Sequence, residues 1–238
     1  RRTMADACEL ARQAGIHPAL GRILAVRGYI NPQGIRDFLE ANKLDFADPF
    51  CFTDMELAVK LTMQALAEQK KIAIFGDYDA DGIMSTVILY RTLKTLGGSV
   101  SYYIPNREGE GYGLNQEALG LLKEQGVELV IACDNGISAF AEVEFAVSID
   151  LGVIILDHHA VVVEGGEDRR PRLPAALAVV DAKREDCAYP FKHYCAAGLC
   201  YRFSQALYTA LGRDWNRLGE LCLPFAAIAT ICDLVELI

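Results

Sequence analysis

The sequence lacks a long apolar run and an apolar N-terminal segment. Although 52% of its residues are apolar, no stretch approaches the roughly 20 consecutive apolar residues that a membrane-spanning helix needs. Residues 1–4 do not lead into the apolar core of a secretory signal. These absences argue against a membrane-spanning or secreted protein. We expect a cytoplasmic location and no membrane partner.

An excess of basic residues is also missing. Lys and Arg number 23, Asp and Glu number 32, and the formal net charge is −9. This balance argues against a protein that coats nucleic acid through bulk positive charge. It does not exclude an enzyme that acts on a phosphate backbone, because bound cations would reverse the sign of the charge around acidic ligands.

Paired cysteines are absent, although the chain contains eight cysteines. None lies in a C-x-x-C pair, which argues against a zinc knuckle. Their scattered positions in mostly apolar surroundings predict reduced thiols that serve as small core residues, as is usual in the cytosol. A disulfide framework is the alternative. The eight residues are Cys8, Cys51, Cys133, Cys187, Cys195, Cys200, Cys222 and Cys232.

The chain does contain enough apolar material for a sizeable core. Its 238 residues suffice for one large domain, or for one domain and an arm. Residues 1–70 carry short segments of helical periodicity separated by turns, which predicts a helical N-terminal lead-in with Pro32 at a helix start and Asp54 as an N-cap. Residues 71–238 have a different pattern and are predicted to form a separate domain.

From residue 71 onward, short apolar runs alternate with helical segments over short connections. Apolar runs of this length are typical of buried strands, and the alternation predicts an α/β fold with a parallel sheet flanked by helices. The polar stretch 161–174 is predicted to be an exposed loop. We expect about five strands, at 71–76, 100–104, 127–133, 153–156 and 175–180.

Acidic residues and histidines follow three of these predicted strands where each strand ends. Because open parallel sheets bind ligands at the carboxyl ends of their strands, these side chains are expected to meet at one edge. A single Asp in such a place is more often a turn or helix cap, and Asp81 could cap the next helix. Capping alone is a less satisfactory explanation when acids or histidines follow three strands, as they do here. The residues are Asp77, Asp79, Asp81, Asp134, Asp157, His158 and His159.

Carboxylates gathered this closely repel one another unless cations neutralise them. Oxygen ligands with one or two imidazoles suit Mn²⁺ or Mg²⁺, and imidazole favours Mn²⁺. A tetrahedral structural zinc site would need thiolates, and no cysteine cluster offers them. Since the acids outnumber the ligands that one ion needs, we expect two ions about 3.5–4 Å apart that share a bridging carboxylate.

The same residues resemble the motifs of the DHH phosphoesterase superfamily. Further segments are similar to the RecJ-type single-strand-specific DNA exonucleases, and the resemblance covers essentially the whole chain. It implies the DHH phosphoesterase fold, with 71–238 as the catalytic domain. The superfamily motifs match residues 76–82, 134–137, 157–159 and 229–237, and the RecJ-type segments are 48–50, 104–107, 110–114, 189–192 and 197–199.

The resemblance implies a role for each matching acid and histidine. Asp134 would take part in catalysis by bridging the two ions. His159 would lie near the scissile phosphate and polarise it or protonate the leaving group, while Asp157 would orient a histidine. The alternatives are a packed histidine and a turn cap, respectively. The implied ligands are Asp77 and Asp79 for the first ion, Asp81, His158 and Asp233 for the second, and Asp134 for both.

Two further residues are candidates for contact with nucleic acid. Arg107 would suit a phosphate and Tyr112 a stacked base. The alternatives are an exposed salt bridge for Arg107 and a core position for Tyr112. A short basic patch at Arg169, Arg170 and Arg172 is more simply interpreted as a solvated loop.

Several positions depart from the family pattern. Asp181-Ala182 stands where Asn-Pro is common, and Cys232-Asp233 stands where Ala-Asp is common. Neither departure removes an implied ligand. The chain stops soon after the fourth motif, whereas family members continue into a DHH-associated domain and an oligonucleotide-binding domain. It also starts without Met, and we therefore expect the N-terminal catalytic part of a longer protein.

The resemblance implies a metal-dependent, single-stranded-DNA-specific 5′→3′ exonuclease that releases 5′-mononucleotides in DNA repair or recombination. Its partners would be single-stranded DNA and a single-strand-binding protein or a helicase, with the chain as a monomer. One alternative is a related phosphodiesterase that acts on short oligonucleotides or cyclic dinucleotides. Another is a non-catalytic DNA-binding scaffold, like the inactive RecJ relative in the eukaryotic replicative helicase, although such a scaffold would be expected to have lost ligands.

Overall fold

The computed structural model describes residues 4–40, 46–109, 111–165 and 170–237. The chain divides into two compact units, residues 1–46 and residues 47–238. Within the described residues, no helix combines the length and apolar character that a membrane span requires.

The first unit is helical, as predicted. It contains α1 (Met4–Ala14), α2 (Pro18–Val26) and α3 (Pro32–Leu39). The predicted helix start at Pro32 is confirmed, because the side chain of Asn31 accepts a hydrogen bond from the Gly34 N–H at 2.6 Å and so caps α3. One buried apolar residue from each helix forms a small core, namely Leu10, Leu24 and Ile35.

The second unit contains the sheet. Its helices are α4 (Met55–Ala67), α5 (Ala80–Thr95), α6 (Gln116–Glu124), α7 (Phe140–Ser148), α8 (Ala196–Ala210) and α9 (Asn216–Cys232), and a 3-10 turn spans Pro49–Cys51. Its strands are β1 (Lys71–Phe75), β2 (Ser99–Tyr103), β3 (Leu129–Cys133), β4 (Gly152–Leu156), β5 (Val162–Glu164), β6 (Arg170–Arg172) and β7 (Ala178–Val180).

Five of these strands form one parallel sheet in the order β2-β1-β3-β4-β7. The central strands are apolar along their whole length because helices cover both faces of the sheet. In β1, Ile72 and Ile74 belong to the core beneath α4, α5, α8 and α9, whereas Ala73 and Phe75 belong to the core beneath α6 and α7. The predicted parallel α/β fold of about five strands is thus confirmed.

Two regions differ from the sequence-based expectation. Residues 47–70, which the sequence pattern assigns to the lead-in, lie in the second compact unit because α4 packs against α8 and β7. Residues 161–174 are not simply a loop, because β5 and β6 pair as an antiparallel ribbon with Val162 opposite Arg172. This ribbon is largely exposed, and its polar sequence therefore lacks the apolar alternation that marks a half-buried strand.

Asp54 occupies the predicted N-cap position directly before α4, but its side chain does not cap the helix. Asp54 has φ 62° and makes no side-chain capping bond to α4. Its Oδ2 instead accepts hydrogen bonds from the Val179 N–H at 3.2 Å and from Arg184 Nη1 at 2.8 Å. The carboxylate therefore ties the start of α4 to β7, a contact between residues 125 positions apart in the sequence.

The parallel arrangement brings the carboxyl ends of four strands to one edge of the sheet. An aspartate follows each strand within two residues: Asp77 after β1, Asp134 after β3, Asp157 after β4 and Asp181 after β7. All four are buried, with exposures of 0 to 2%. This edge is where the candidate site lies.

Candidate metal centre

The turn between β1 and α5 carries the first three acids. Asp79 caps α5, because its Oδ1 accepts a hydrogen bond from the Gly82 N–H at 3.0 Å. Gly82 packs directly on Asp77, and a Cβ at this position would lie 2.5 Å from the Asp77 nitrogen. Only glycine allows this close approach, which holds Asp77 against the start of the helix.

Asp81 caps a helix, but not the helix that contains it. It lies in the first turn of α5, and its two oxygens accept hydrogen bonds from the Ala196 and Ala197 N–H groups, each at 2.7 Å. These are the first N–H groups of α8, which carry partial positive charge. The carboxylate therefore joins α5 to α8, and each oxygen retains a lone pair for a second partner.

Asp134 follows β3 in a left-handed conformation, with φ 65°. Its N–H donates to the Leu156 carbonyl at 3.1 Å, and its Oδ1 lies 3.2 Å from His158 Nε2. Burial, together with the nearby charges of Asp81 and Asp79, raises the pKa of Asp134 far above its usual range. A carboxylate in this position therefore requires a compensating cation in order to stay ionised at neutral pH.

The Asp157-His158-His159 segment follows β4. Asp157 is fully buried, and its Oδ1 lies 2.7 Å from His159 Nδ1 while its Oδ2 accepts the Ile137 N–H at 2.9 Å. Burial alone would raise the pKa of Asp157, but the hydrogen bonds from His159 and the backbone outweigh it and lower the pKa. The same hydrogen bond raises the pKa of His159, whose side chain is 46% exposed.

The His158 side chain is directed toward three carboxylates and not toward Asp157. Its Nε2 lies 3.2 Å from Asp134 Oδ1, 3.6 Å from Asp81 Oδ2 and 3.7 Å from Asp233 Oδ2. Burial lowers the pKa of His158, which favours the neutral imidazole that a metal requires. Asp233, the residue after α9, therefore reaches the same centre as the strand-end residues.

The ligand atoms fall into three groups, and within each group all atoms lie within 4.8 Å of one another. Asp134 and His158 each belong to two of these groups and therefore link the three groups together. This arrangement brings together all six residues that the resemblance implies as ligands. The groups are Asp77 with Asp79 and Asp134, Asp81 with His158 and Asp233, and Asp134 with His158 and His159.

The donor set fits divalent cations. Both oxygens of Asp77 and the Nε2 of His158 are buried, and within the described part of the chain they have no hydrogen-bond partner of acceptable geometry. Burial raises the pKa of Asp77 as well. Buried polar atoms left without partners are costly, and cations would satisfy them. Carboxylate oxygens with one or two imidazole nitrogens are a set that Mn²⁺ and Mg²⁺ accept.

The candidate DNA-contacting residues lie beside this centre. The Tyr112 hydroxyl donates to the Asp134 carbonyl at 2.9 Å and lies 3.3 Å from His159 Nε2. The ring centroid of Tyr112 lies 6.4 Å from that of Tyr78. The Arg107 guanidinium carbon in turn lies over the Tyr78 ring, 5.4 Å from its centroid. Because Tyr112 is 53% exposed, it is not a core aromatic.

The basic patch of the hairpin is used differently. Arg172 pairs with Glu164 at 2.5 Å across the β5–β6 ribbon, and its guanidinium lies 4.0 Å above the Phe140 ring. Arg170 is exposed at the start of β6, and Arg169 lies outside the described residues. Arg172 thus holds the hairpin in place rather than serving the acidic centre.

Asp181, which in the sequence is only a departure from the family pattern, is a further member of this edge. It is fully buried, its Oδ1 accepts the Lys183 N–H at 2.7 Å, and its Oδ2 has no hydrogen-bond partner among the described residues. Burial, with the charge of Asp157 adding to it, raises the pKa of Asp181 to about 7. Its place directly after a predicted strand is the signal that could have identified it.

The substitution Asp181→Asn is expected to stabilise the metal-free protein at pH 8 by up to about 4 kcal/mol and to change little at pH 4. The raised pKa means that the unfolded chain releases this proton first, so the wild-type chain loses stability as pH rises from about 4 to about 7. Asparagine removes that loss. Denaturant unfolding of both proteins from pH 4 to pH 8 measures this difference in stability.

A second variant provides the control. Asp186, five residues further on, has its pKa lowered by hydrogen bonds from Arg184. Asp186→Asn is therefore expected to lower stability as pH rises above the range in which Asp186 ionises, the opposite sign. Wild-type and Asp181→Asn curves that run parallel from pH 4 to pH 8 would contradict the buried-proton interpretation.

The fold and site define the class of the protein: an α/β domain with an acidic, histidine-containing centre at the carboxyl edge of a parallel sheet. The model of the DHH family, N-terminal domain, matches residues 71–230. The chain belongs to the DHH family, and the resemblance of its motifs is confirmed.

Comparison with curated proteins gives more detailed similarity. The chain is 41% identical to the single-stranded-DNA-specific exonuclease RecJ of Bacillus subtilis over 231 residues, which are 96% of this chain and 27% of the relative. It is 33% identical to the Escherichia coli enzyme of the same name, over 94% of this chain and 37% of the relative. The chain therefore spans about a third of the length of these relatives.

Solved structures show the same similarity. A crystal structure of exonuclease RecJ bound to manganese aligns with a TM-score of 0.63 and 30% identity, over 81% of this chain and 44% of that one. RecJ of Thermus thermophilus in complex with Mn²⁺ aligns with a TM-score of 0.67 and 25% identity, over 93% of this chain and 30% of that one.

Proposed function

We propose that this chain is the catalytic part of a metal-dependent exonuclease that removes 5′-mononucleotides from single-stranded DNA. The observation that carries the proposal is the set of three ligand groups, which share Asp134 and His158, together with the Asp157–His159 hydrogen bond. Relatives named as single-stranded-DNA-specific exonucleases support the substrate class. Cleavage from the 5′ end and a role in repair or recombination follow from the resemblance.

Two divalent cations, Mn²⁺ or Mg²⁺ with Mn²⁺ favoured, are the proposed cofactors. Solved relatives in complex with Mn²⁺ and with Mg²⁺ support this choice. When bound, such cations supply Lewis-acid stabilisation of charge on a phosphoryl oxygen. Asp77 and Asp79 would hold one ion, Asp81, His158 and Asp233 the other, and Asp134 both.

The remaining residues position the substrate and move a proton. Asp157 binds His159 Nδ1, so that Nε2 is directed toward Tyr112 on a side chain that is 46% exposed. Because this hydrogen bond raises the pKa of His159, the imidazole is protonated over more of the neutral range and can donate a proton to the leaving oxygen. Tyr112 and Arg107 would contact a base and a phosphate of the strand.

The substitution His159→Gln is expected to lower kcat about 10²–10⁴-fold, because a positioned general acid contributes that much. The wild-type rate should fall as pH rises above the pKa of His159, and this alkaline decrease should be missing from the variant. His193→Gln is the control, since the His193 side chain is 41% exposed and pairs with Glu236 at 3.4 Å. A variant that keeps near-native kcat would exclude His159 as the acid.

Substrate class is tested by comparing a 5′-labelled single strand, the matching duplex and a cyclic dinucleotide, each with Mn²⁺ and with EDTA. Release of mononucleotides from the single strand alone, abolished by EDTA, is expected. Turnover of only the cyclic dinucleotide would overturn the proposal in favour of a small-molecule phosphodiesterase. A chain that binds strand but hydrolyses none of the three substrates would be a scaffold.

The proposed partner is single-stranded DNA, with a single-strand-binding protein or a helicase acting beside it. The proposed setting is the cytoplasm, with the chain as a monomer and residues 71–238 as its catalytic domain.

A further inference from the structure

A groove runs along α5 from its first turn to its last, and none of the metal-centre residues lines it. Two clefts of about 280 and 540 Å³ meet there, because both are lined by Tyr90 and Arg91. The smaller cleft extends to Ile83 and Tyr102, and the larger one extends to Lys94 and Arg217. We call this surface the α5 groove and define it by Ile83, Tyr90, Arg91, Lys94, Tyr102 and Arg217.

The far half of the α5 groove is positively charged. Arg91, Lys94 and Arg217 line it, and none of the three forms an ion pair with a carboxylate in the described part of the chain. The acid in the cleft, Asp214, accepts the Asn216 N–H at 2.9 Å. In a chain of net charge −9, three such cations in one cleft form a local site for anions.

The middle of the α5 groove presents aromatic rings. Tyr102 is 60% exposed on the edge strand β2, and its ring meets that of Tyr90 at 5.7 Å in a T-shaped contact. Lys94 Nζ lies 5.6 Å from the centroid of the Tyr90 ring. An exposed ring and a half-buried ring beside cations form a surface that suits single-stranded nucleic acid, since bases stack on rings while cations hold the phosphates.

The near end of the α5 groove is close in sequence to residues of the metal centre and to Arg107. Ile83 lies two residues after Asp81, and Ile104, which also lines the smaller cleft, lies three residues before Arg107. From Ile83 to Lys94, α5 advances about 16 Å, at about 1.5 Å per residue. This distance matches about five stacked nucleotides, at about 3.4 Å per phosphate.

We propose that the α5 groove binds the single strand several nucleotides away from the scissile bond, with phosphates on Arg91, Lys94 and Arg217 and bases against Tyr90 and Tyr102. This inference rests on the proposed function, because it assigns the same substrate to a second surface. It predicts that long strands bind through contacts that short strands cannot reach.

The test compares the double variant Lys94→Gln/Arg217→Gln with the charge-matched control Lys60→Gln/Arg27→Gln, whose residues are exposed and lie outside the groove. Fluorescence anisotropy in EDTA measures affinity for strands of about 3 and about 20 nucleotides at several salt concentrations. We expect the groove variant to lose about tenfold in affinity for the long strand, and its salt slope to fall by about 1.4, at about 0.7 per phosphate contact. Affinity for the short strand should not change.

The outcomes separate this inference from the proposed function. Binding in EDTA requires no hydrolysis and can be measured even if the wild-type chain cleaves nothing. Weaker binding of the long strand by the groove variant would then support the α5 groove as a binding site, while the missing cleavage would overturn the proposed function. A groove variant that matches its control on the long strand would overturn the groove even if cleavage is normal. Equal weakening on an unrelated duplex would also overturn it, because the loss would then reflect bulk charge alone. Tyr102→Ala is expected to weaken binding of the long strand as well, because a stacking contact with a base is lost.

Discussion

The substitution Asp134→Asn is expected to reduce phosphodiester hydrolysis by at least about a thousandfold while leaving the fold intact. Asp134 belongs to two of the three ligand groups, so its loss affects both proposed ions. Metal stabilisation of transition-state charge is worth several kcal/mol, and about 4 kcal/mol corresponds to a thousandfold change in rate. Initial rates with a labelled single strand and saturating Mn²⁺ measure the effect.

Asparagine is the informative replacement because of the backbone at this position. Asp134 has φ 65°, a conformation that Asn adopts readily and Ala does not. The variant should therefore be no less stable than the wild type without metal. Asp150→Asn is a matched control, since Asp150 also has positive φ, at 55°, and its side chain is fully exposed away from the centre. Near-native turnover by Asp134→Asn would overturn the bridging role.

Divalent cations are expected to raise the melting temperature of the chain, most strongly above neutral pH. Burial raises the pKa of Asp77, Asp81 and Asp134. Without metal, the unfolded chain ionises these groups first, so stability falls as pH rises from about 4. Cations at about 100 times their dissociation constant should restore about 2.7 kcal/mol, or about 5–10 °C for a chain of this size.

Melting curves at about pH 5 and pH 8, with EDTA and with Mn²⁺, measure this stabilisation. The metal-free chain should melt lower at pH 8 than at pH 5, and Mn²⁺ should reduce or reverse that difference. Asp134→Asn should lose most of the stabilisation by Mn²⁺. An equal gain in this variant and in the wild type would show that the cations bind elsewhere on the chain.

The parallel sheet can be predicted because its strands are buried on both faces. Such strands appear in the sequence as short apolar runs, and each of the five runs overlaps a strand of the sheet. Boundaries are less accurate, as the last strand covers only Ala178–Val180 within the predicted 175–180. The β5–β6 ribbon cannot be predicted in this way, because an exposed two-stranded ribbon needs no apolar face to mark it.

Capping roles are the least predictable features. Asp54 and Asp81 both precede or begin helices in the sequence, yet each bonds to a distant element instead. Asp54 bonds to Val179 and Arg184, and Asp81 bonds to the start of α8, 115 residues away. Local sequence indicates that a cap is possible there, but it contains no information on which N–H group the carboxylate meets.

The sequence by itself determined which residues could form the centre. Chain order puts Asp77, Asp134 and Asp157 after strands, and a parallel sheet must bring such strand ends to one edge. The tertiary structure alone decided what each residue can do there. It buries Asp134 beside other acids, binds Asp157 to His159, turns His158 toward Asp233 and places Asp181 fully inside. The reason is physical: the charge and hydrogen bonds of a side chain depend on desolvation and on neighbours that are far away in the sequence.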